Sequence, residues 1–595
     1  MKFNKIFRKT TIITACAALV FAGCTNLDED VIDEVLGNES SDASAALAAA
    51  YDRLGDRTFT DNGGMIAMQE YSSDIALLPT RGSDWGDGGK WRDMHEFTWS
   101  PDNAVITDNW NLLTNGITRS LLAVRAIQNS TDPEKTIFLA EAKVLLAFYT
   151  YTTLDLYGQA PYRDPVSATS PLVILKADTA IDDLIKSVEA EIPNLAALGT
   201  QKTHNGRFTK EGAYALLAQM YLNRAVYKDR YNASSNFNFT EPAVDGNGTD
   251  MDKVIYYSNL LINSGKFSLA SNYFENFSID NKGGKELIFA ITQKIDNIRD
   301  GDNDLAYMSC ERNQRVSPGN RGTNGSCITP EFYASWDGNH NDPRFHRYYQ
   351  YSDGTWFMND ATTTSVPAND FVPGTTSPWF HFNRGIQAGQ QYGPKLVTGS
   401  AAFEKTADGR IKVSPLVCEK STTTPMDFTP ALDFSVPTQS VFAQNQINRG
   451  ARCFKFEFDP GDGKNNGSSK VDIPLFRLGG IYTMRAEAYL RKGETGLALA
   501  DINMLRTSRT REGLFGNVAG TPITAIDMDI LYKEIGFEMY WEMWRRPQMV
   551  RFGKLDLPLP GSAKPATPAF RRIFPIPQQT LDVTKGFSQN FGYVN

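Results

Sequence analysis

The chain reads Thr209-Lys-Glu-Gly-Ala-Tyr-Ala-Leu-Leu-Ala-Gln-Met-Tyr-Leu222 in its first half. Apolar residues recur there every three or four positions, which is the spacing of one helix face. Small residues at Gly212, Ala215 and Ala218 allow a second helix to approach closely. The stretch therefore predicts a helix that is packed tightly among other helices.

The same spacing predicts helices on both sides of this stretch, at residues 41–54, 108–127, 140–151, 179–191, 253–264, 481–491 and 495–506. Near the C-terminus, Ala486-Glu-Ala-Tyr-Leu-Arg-Lys-Gly493 is followed by Ala498 and Ala500 and resembles a tetratricopeptide hairpin. Such hairpins recur at irregular intervals. The sequence thus predicts a mainly α-helical scaffold of tetratricopeptide-like hairpins that is interrupted by insertions.

The main insertion is dense in Gly, Pro, Asn, Ser and Thr and shows little helical periodicity. Because a structureless loop of this size is unusual in a compact domain, we expect a loop-rich subdomain with a few short strands, such as 451–459. The resulting division is a helical region at 41–299, an irregular region at 300–472 and a second helical region at 473–595.

The N-terminus has the pattern of a lipoprotein signal. Lys2, Lys5 and Arg8 precede an apolar run at 12–21 that is too short to span a bilayer. The run ends in Phe21-Ala-Gly-Cys24, which resembles a lipobox and predicts a signal peptide at 1–23 and lipidation of Cys24. The alternative is an ordinary secretory signal with a chance cysteine. Residues 24–40 include the acidic run Asp28-Glu-Asp30 and are interpreted as an acidic tether.

The overall charge argues against a nucleic-acid partner. Lys and Arg total 60 and Asp and Glu total 68, which gives a net charge of −8, and no basic block stands out. Cys310, Cys327, Cys418 and Cys453 have no CxxC spacing, so neither a disulfide framework nor a zinc site is expected. One isolated disulfide stays open.

Sequence motifs for catalysis and metal binding are missing. The five His residues form no HExxH, and there is no GxSxG or P-loop. A glycosidase carboxylate pair stays open, because carboxylates are abundant. Asp300-Gly-Asp-Asn-Asp304 with Glu311 echoes a calcium loop, but Leu305 replaces the required glycine. A solvated acidic loop is the favoured interpretation, and neither metal nor cofactor is expected.

Four groups of residues in the helical regions and at the C-terminus resemble the signatures of the SusD/RagB family of outer-membrane nutrient-binding lipoproteins, and they occur in family order. They are 140–149 with Leu156-Tyr-Gly158 and Pro161; 472–478 with Arg485-Ala-Glu-Ala488; Phe537-Glu538, Trp541-Glu542, Arg545-Arg546 and 550–554; and 574–577 with Gln589-Asn590 and Gly592-Tyr593. Leu146, Met543 and Pro547 depart from the usual pattern, which affects local packing only.

The resemblance implies a lipid-anchored protein of the outer membrane that faces the exterior and contacts the membrane through its anchor only. It also implies binding of a poly- or oligosaccharide, no enzymatic activity, and delivery to a SusC-like TonB-dependent transporter that this protein caps. The alternatives are a peptide or another nutrient as cargo, a glycan-cleaving surface enzyme, or a purely structural cap.

A surface glycan site needs aromatic rings for the C–H faces of sugars and planar polar groups for their hydroxyls. The glycine-rich loop at 80–91 offers Trp85 and Trp91 for stacking and Arg81 and Asp84 for hydroxyls, with Asp74 just before it. It resembles a loop on which the family's site commonly draws. The alternative is a loop folded over the core.

The irregular region supplies the remaining candidates, which are expected to form the opposite wall of the same site: Tyr307, Trp336, Trp356, Trp379, Arg384 and Tyr392. For each of these residues, packing in the core or under a loop is the competing interpretation.

Overall fold

The computed structural model describes residues 42–82, 84–167, 169–293, 303–421, 423–432, 446–460 and 469–594. The predicted signal peptide 1–23, Cys24 and the tether 24–40 lie outside the described residues. Asp300 and Asp302 of the calcium-like stretch also lie outside them.

The described chain is mainly helical, as predicted. Its α-helices are α1 Ala43–Tyr51, α2 Arg57–Thr60, α3 Lys90–Glu96, α4 Ala104–Gln128, α5 Lys135–Tyr157, α6 Ala177–Glu191, α7 Lys210–Lys228, α8 Asp250–Ile262, α9 Pro330–Ser335, α10 Leu478–Arg491, α11 Thr495–Ser508, α12 Met528–Met539, α13 Arg545–Arg551 and α14 Gln578–Val583. A π-helical turn spans Ile66–Tyr71. All eight helices predicted from spacing are present, with ends that differ by up to several residues.

Local sequence explains where these helices begin and end. Thr209 caps α7, because its Oγ1 accepts the Gly212 N–H at 3.3 Å. Thr249 and Asp252 form a capping box at the start of α8. Gly158 ends α5 with a φ of +68°, a left-handed conformation that glycine adopts without steric cost.

The helices pack as neighbouring pairs. α4 packs along α5, α7 along α8, and α10 along α11, while α8 contacts α10 and α1 contacts α4. Gly116 allows the close approach of α4 to α5, because a Cβ at this position would lie 2.6 Å from the Tyr149 ring. α5 is long and apolar enough to cross a membrane, but 78% of its most apolar window is buried inside the protein.

The strands are short and lie mostly in the irregular region. They are β1 Ala76–Leu77, β2 Gln159–Tyr162, β3 Val173–Lys176, β4 Leu287–Ile291, β5 Cys327–Ile328, β6 His346–Arg347, β7 Tyr349–Gln350, β8 Trp356–Phe357, β9 Ser365–Val366, β10 Arg384–Gln387, β11 Gly389–Gln390, β12 Tyr392–Pro394, β13 Ile411–Pro415, β14 Asp427–Phe428, β15 Arg452–Phe454 and β16 Ile473–Arg477. Within the described residues they form antiparallel sheets of two or three strands, such as β16–β4 and β15–β10–β6.

An ionic cluster connects the helical and irregular regions inside the core. It comprises the buried side chains of Arg344, Lys455, Arg477, Arg506, Arg509, Glu286, Asp342, Glu534, Glu538 and Glu542. Arg477 pairs with Glu538 and with Glu542, each at 2.6 Å. Burial would raise the pKa of Glu538, but Arg509 and Arg477 hold this pKa below its usual value. Because cations and anions are equal in number, the cluster carries no net charge into the core.

Candidate functional site

The first candidate site is a cleft between the loop that follows β1 and the N-terminal half of α4. Its volume is about 590 Å³. We name it the Trp85 cleft, and its lining includes Arg57, Asp61, Asn62, Trp85, Asp87, Lys90, Trp91, Asp108, Asn109 and Asn111. It combines two indoles with many planar polar groups.

The two tryptophans of this cleft are not equivalent. Trp85 is partly exposed, has a φ of +61°, and donates its Nε1–H to the Thr323 carbonyl at 3.2 Å. Trp91 is only 5% exposed and donates its Nε1–H to Asp87 at 2.6 Å. The rings meet edge to face with centroids 6.1 Å apart. Trp91 therefore supports Trp85, and Trp85 offers the more accessible ring surface.

Most of the other residues that line the cleft are polar. Asp108 and Asn111 are exposed and lie one turn apart on α4. Arg57 donates to Asp61 from Nε and Nη2 at 3.1 and 2.9 Å. The buried Oδ1 of Asn109 has no hydrogen-bond partner among the described residues. An indole beside carboxylates and amides is the combination that a sugar ring requires.

The sequence analysis does not predict these polar residues as part of the site. Asp108 and Asn111 have the i,i+3 spacing that places two side chains on one helix face, next to the buried Trp110. Arg57 and Asp61 have the i,i+4 spacing of an intrahelical pair. The sequence shows these spacings, but only the fold brings the four residues into one cleft with Trp85.

Asp74, which was predicted to bind glycan, makes its hydrogen bonds to side chains of the protein itself. Its carboxylate accepts hydrogen bonds from Arg545 Nε at 2.7 Å and from Tyr532 Oη at 2.6 Å. Burial would raise the pKa of Asp74, but Arg545 more than offsets this effect and the pKa is lowered. The ionised carboxylate holds the segment before β1 against α12 and α13.

Arg81, which was predicted to bind sugar hydroxyls, lies in the protein interior and not at the surface of a cleft. The side chain is fully buried, and burial lowers its pKa. Its Nε donates to the Gly325 carbonyl at 3.1 Å, and its Nη1 donates to the carbonyls of Gln446 and Arg449. Arg81 therefore fastens the base of the 80–91 loop to the irregular region.

Tyr307 and Trp336 belong to the core and not to a glycan site. Both are fully buried. Tyr307 accepts a hydrogen bond from Asn320 Nδ2 at 2.7 Å, and the Trp336 ring stacks on Phe537 at a centroid distance of 3.6 Å. A large aromatic ring stabilises a protein mainly through the apolar surface that it buries, which explains why these two rings pack inside the core.

A second cleft brings together Trp356, Trp379 and Arg384. We name it the Trp356 cleft; its volume is about 390 Å³, and it shares no lining residue with the Trp85 cleft. Its lining also includes Phe274, Glu275, Arg347, Tyr348, Tyr349, His381, Glu457, Glu512 and Gly513. Five of the predicted residues thus line two separate clefts, Trp85 and Trp91 in one and Trp356, Trp379 and Arg384 in the other, and not two walls of one site.

Two further predicted residues line neither cleft. Asp84 pairs with Arg312 at 2.9 Å and with Lys420 at 3.5 Å. Tyr392 is partly exposed in β12, and its backbone N–H donates to Asn359 Oδ1 at 2.8 Å. Both residues organise loops of the irregular region.

The cysteines and Glu311 of the irregular region are buried inside the protein. The four described cysteines are buried and unbridged. Glu311 is buried and accepts the backbone N–H groups of Asn313 and Glu419, so its carboxylate is not part of a solvated loop. Over the described ranges, no group of three or more His, Cys, Asp or Glu side chains is arranged to hold a metal ion.

Comparison with known proteins gives consistent matches. The starch-binding protein SusD of Bacteroides thetaiotaomicron is 25% identical over 528 residues, which cover 86% of this chain and 82% of the relative. A laminarin-binding SusD-like protein has a similar structure, with a TM-score of 0.61 and 18% identity over 93% of this chain and all of the other. Surface glycan-binding protein A of Bacteroides thetaiotaomicron, solved with laminarihexaose, is also similar, with a TM-score of 0.58 and 18% sequence identity. The match covers 92% of this chain and 98% of the other.

The family model described as the SusD family matches residues 264–593, more than half of the chain. This match covers the second half of the helical scaffold, the irregular region and the whole ionic cluster. The structural matches extend the likeness to the N-terminal helices. The chain belongs to the SusD family.

Proposed function

We propose that this protein binds a poly- or oligosaccharide at the cell surface and passes it to a SusC-like TonB-dependent transporter. The observation that carries the proposal is the Trp85 cleft, in which a partly exposed indole lies beside the exposed Asp108 and Asn111. A lipid on Cys24 would hold the protein at the outer membrane. Family membership and the relatives named for starch or laminarin support this role.

The proposed mechanism is capture without chemistry. The C–H face of one sugar ring stacks on Trp85, and its hydroxyls donate to Asp108 and Asn111. Each stacked ring contributes about 1 kcal/mol beyond its buried area. A single site of this kind binds modestly, but a polymeric glycan offers many copies of the same unit, which raises the effective affinity.

The test is retention of polysaccharides in affinity gels, with a panel of laminarin, starch, xylan, mannan, alginate and polygalacturonate. We expect retention by at least one of them and an approximately tenfold weaker retention for Trp85→Ala, because about 1.4 kcal/mol corresponds to a factor of ten. Tyr256→Ala is the matched control, since this ring is 53% exposed on α8 and lines neither cleft.

Two results would contradict the proposal. Unchanged retention for Trp85→Ala would remove the Trp85 cleft from the glycan site. Release of new reducing ends from the retained polysaccharide would favour the glycan-cleaving enzyme over a binding protein.

A further inference from the structure

The Trp356 cleft is built from segments that are distant in the sequence. Its walls come from residues 272–278, from 347–384, from 457–458 and from 512–513. The cleft therefore lies where the two helical regions meet the irregular region. Its volume of about 390 Å³ is within the range of roughly 300–1,000 Å³ that small-molecule sites occupy.

Aromatic rings give this cleft a preorganised surface. Trp356 and Tyr349 are partly exposed, while Trp379 is only 4% exposed. Tyr349 stacks on His381 with centroids 4.0 Å apart and planes 7° apart, and His381 Nε2 lies 3.1 Å from Asp370. Because the rings are already packed in place, a ligand would lose little binding free energy to ordering them.

Glu512 adds a polar group with an unmet hydrogen-bonding capacity. It is 2% exposed, and its Oε1 accepts the backbone N–H of Tyr348 at 3.3 Å. Its Oε2 has no hydrogen-bond partner among the described residues. A buried acceptor without a donor costs free energy. A sugar hydroxyl in the cleft would supply that donor after a small side-chain rotation.

The charges of the cleft favour a neutral ligand. The cleft is lined by three carboxylates, those of Glu275, Glu457 and Glu512. It is also lined by two arginines, and both of them already have partners within the protein. Arg384 donates to the Phe277 carbonyl at 3.1 Å and lies 3.6 Å from Glu457. Arg347 donates to the carbonyl of Thr510 at 3.4 Å. An anionic sugar would therefore meet more carboxylates than available cations.

We propose that the Trp356 cleft is a second carbohydrate site, separate from the Trp85 cleft, which binds a short stretch of a neutral glycan. The inference rests on the proposed glycan-binding function but not on the Trp85 cleft. A polysaccharide that engages both clefts of one chain gains avidity without any new contact.

The test uses the full chain, the polysaccharide that the wild type retains, and the hexasaccharide of the same linkage, such as laminarihexaose for laminarin. Calorimetry is expected to give two hexasaccharides per wild-type chain and one per chain for Trp85→Ala. Adding Trp356→Ala to Trp85→Ala should weaken the remaining binding at least tenfold. Glu512→Gln keeps the shape of the side chain. Added to Trp85→Ala, it should weaken the remaining hexasaccharide binding less than Trp356→Ala does.

Each outcome discriminates. One hexasaccharide per wild-type chain, or loss of all binding in Trp85→Ala alone, overturns the second site and leaves the proposed function intact. If Trp356→Ala loses hexasaccharide binding while Trp85→Ala binds as the wild type does, the Trp356 cleft is a carbohydrate site. The assignment of the Trp85 cleft as a glycan site is then wrong. Retention of polygalacturonate that depends on Trp356 overturns the neutral specificity. If the wild type retains no polysaccharide of the panel, both proposals are wrong.

Discussion

At the scale of single residues, Trp85 and Trp91 occupy one glycine-rich loop but have different environments. The sequence identifies both as candidates for stacking, because it shows only that they are aromatic and near turn residues. Their exposure depends on residues far along the chain or outside the loop: Thr323 accepts the hydrogen bond of Trp85, and Tyr71 packs edge-on against Trp91. Such long-range contacts explain why the loop was predictable and the roles of its side chains were not.

Glu70 provides a prediction at this scale. It lies in the π-helical turn, is fully buried, and accepts the Met543 N–H at 2.8 Å. Burial raises its pKa from 4.5 to about 8. Between these values the folded protein keeps a proton that the unfolded chain releases, so this group's contribution to stability falls as pH rises from about 4.5 to about 8 and is constant above that.

We therefore expect Glu70→Gln to remove a slope of about 1.4 kcal/mol per pH unit from the free energy of unfolding across that window. Urea unfolding of both proteins at pH 5, 6.5 and 8 measures the slope. Glu275→Gln, at an exposed carboxylate, should leave it unchanged. Parallel curves for wild type and Glu70→Gln would show that Glu70 titrates normally.

At the scale of elements, helices were predictable and short strands were not. Helical spacing is a local pattern, and it identified α4, α5 and α7 from apolar and small residues alone. The two-residue strands depend on partners far away in sequence, as when Ala76 pairs with Ile328. A strand of two residues is too short to show an alternation of apolar and polar residues. The irregular region could therefore be predicted only as a loop-rich subdomain with a few short strands.

The contact between α4 and α5 gives a prediction for this scale. Gly116→Ala should destabilise the protein by about 1–3 kcal/mol, because the added methyl group overlaps the Tyr149 ring. The higher helix propensity of alanine does not compensate for this overlap. Gly496→Ala in α11 is the matched control, since no atom lies near its Cβ position, and it should be neutral or slightly stabilising. Equal effects on urea unfolding would contradict the close approach.

At the scale of the whole molecule, the resemblance to the SusD/RagB family predicted the mainly helical fold correctly. It also identified Arg477, Glu538 and Glu542, but only as members of scaffold motifs. Their partners Arg344 and Lys455 come from the irregular region, where the sequence offers no signal for ion pairing. The ionic cluster is therefore a property of the assembled chain and not of any one motif.

Arg477→Met tests the ionic cluster. The substitution leaves the buried Glu538 and Glu542 with fewer compensating charges, so we expect a loss of about 3–5 kcal/mol in the free energy of unfolding. Arg410→Met breaks a partly exposed pair with Asp353 and should cost about 1 kcal/mol or less. Urea unfolding followed by circular dichroism compares them. Similar losses for the two variants would mean that the ionic cluster does not stabilise the core.

The separation in sequence of the walls of the Trp356 cleft has a consequence for biosynthesis. The last wall residues, 512–513, are translated long after the first, 272–278. A nascent or truncated polypeptide lacks one side of this cleft however well its early helices have formed. Glycan binding in the Trp356 cleft would therefore occur only after the whole molecule has been synthesised and folded.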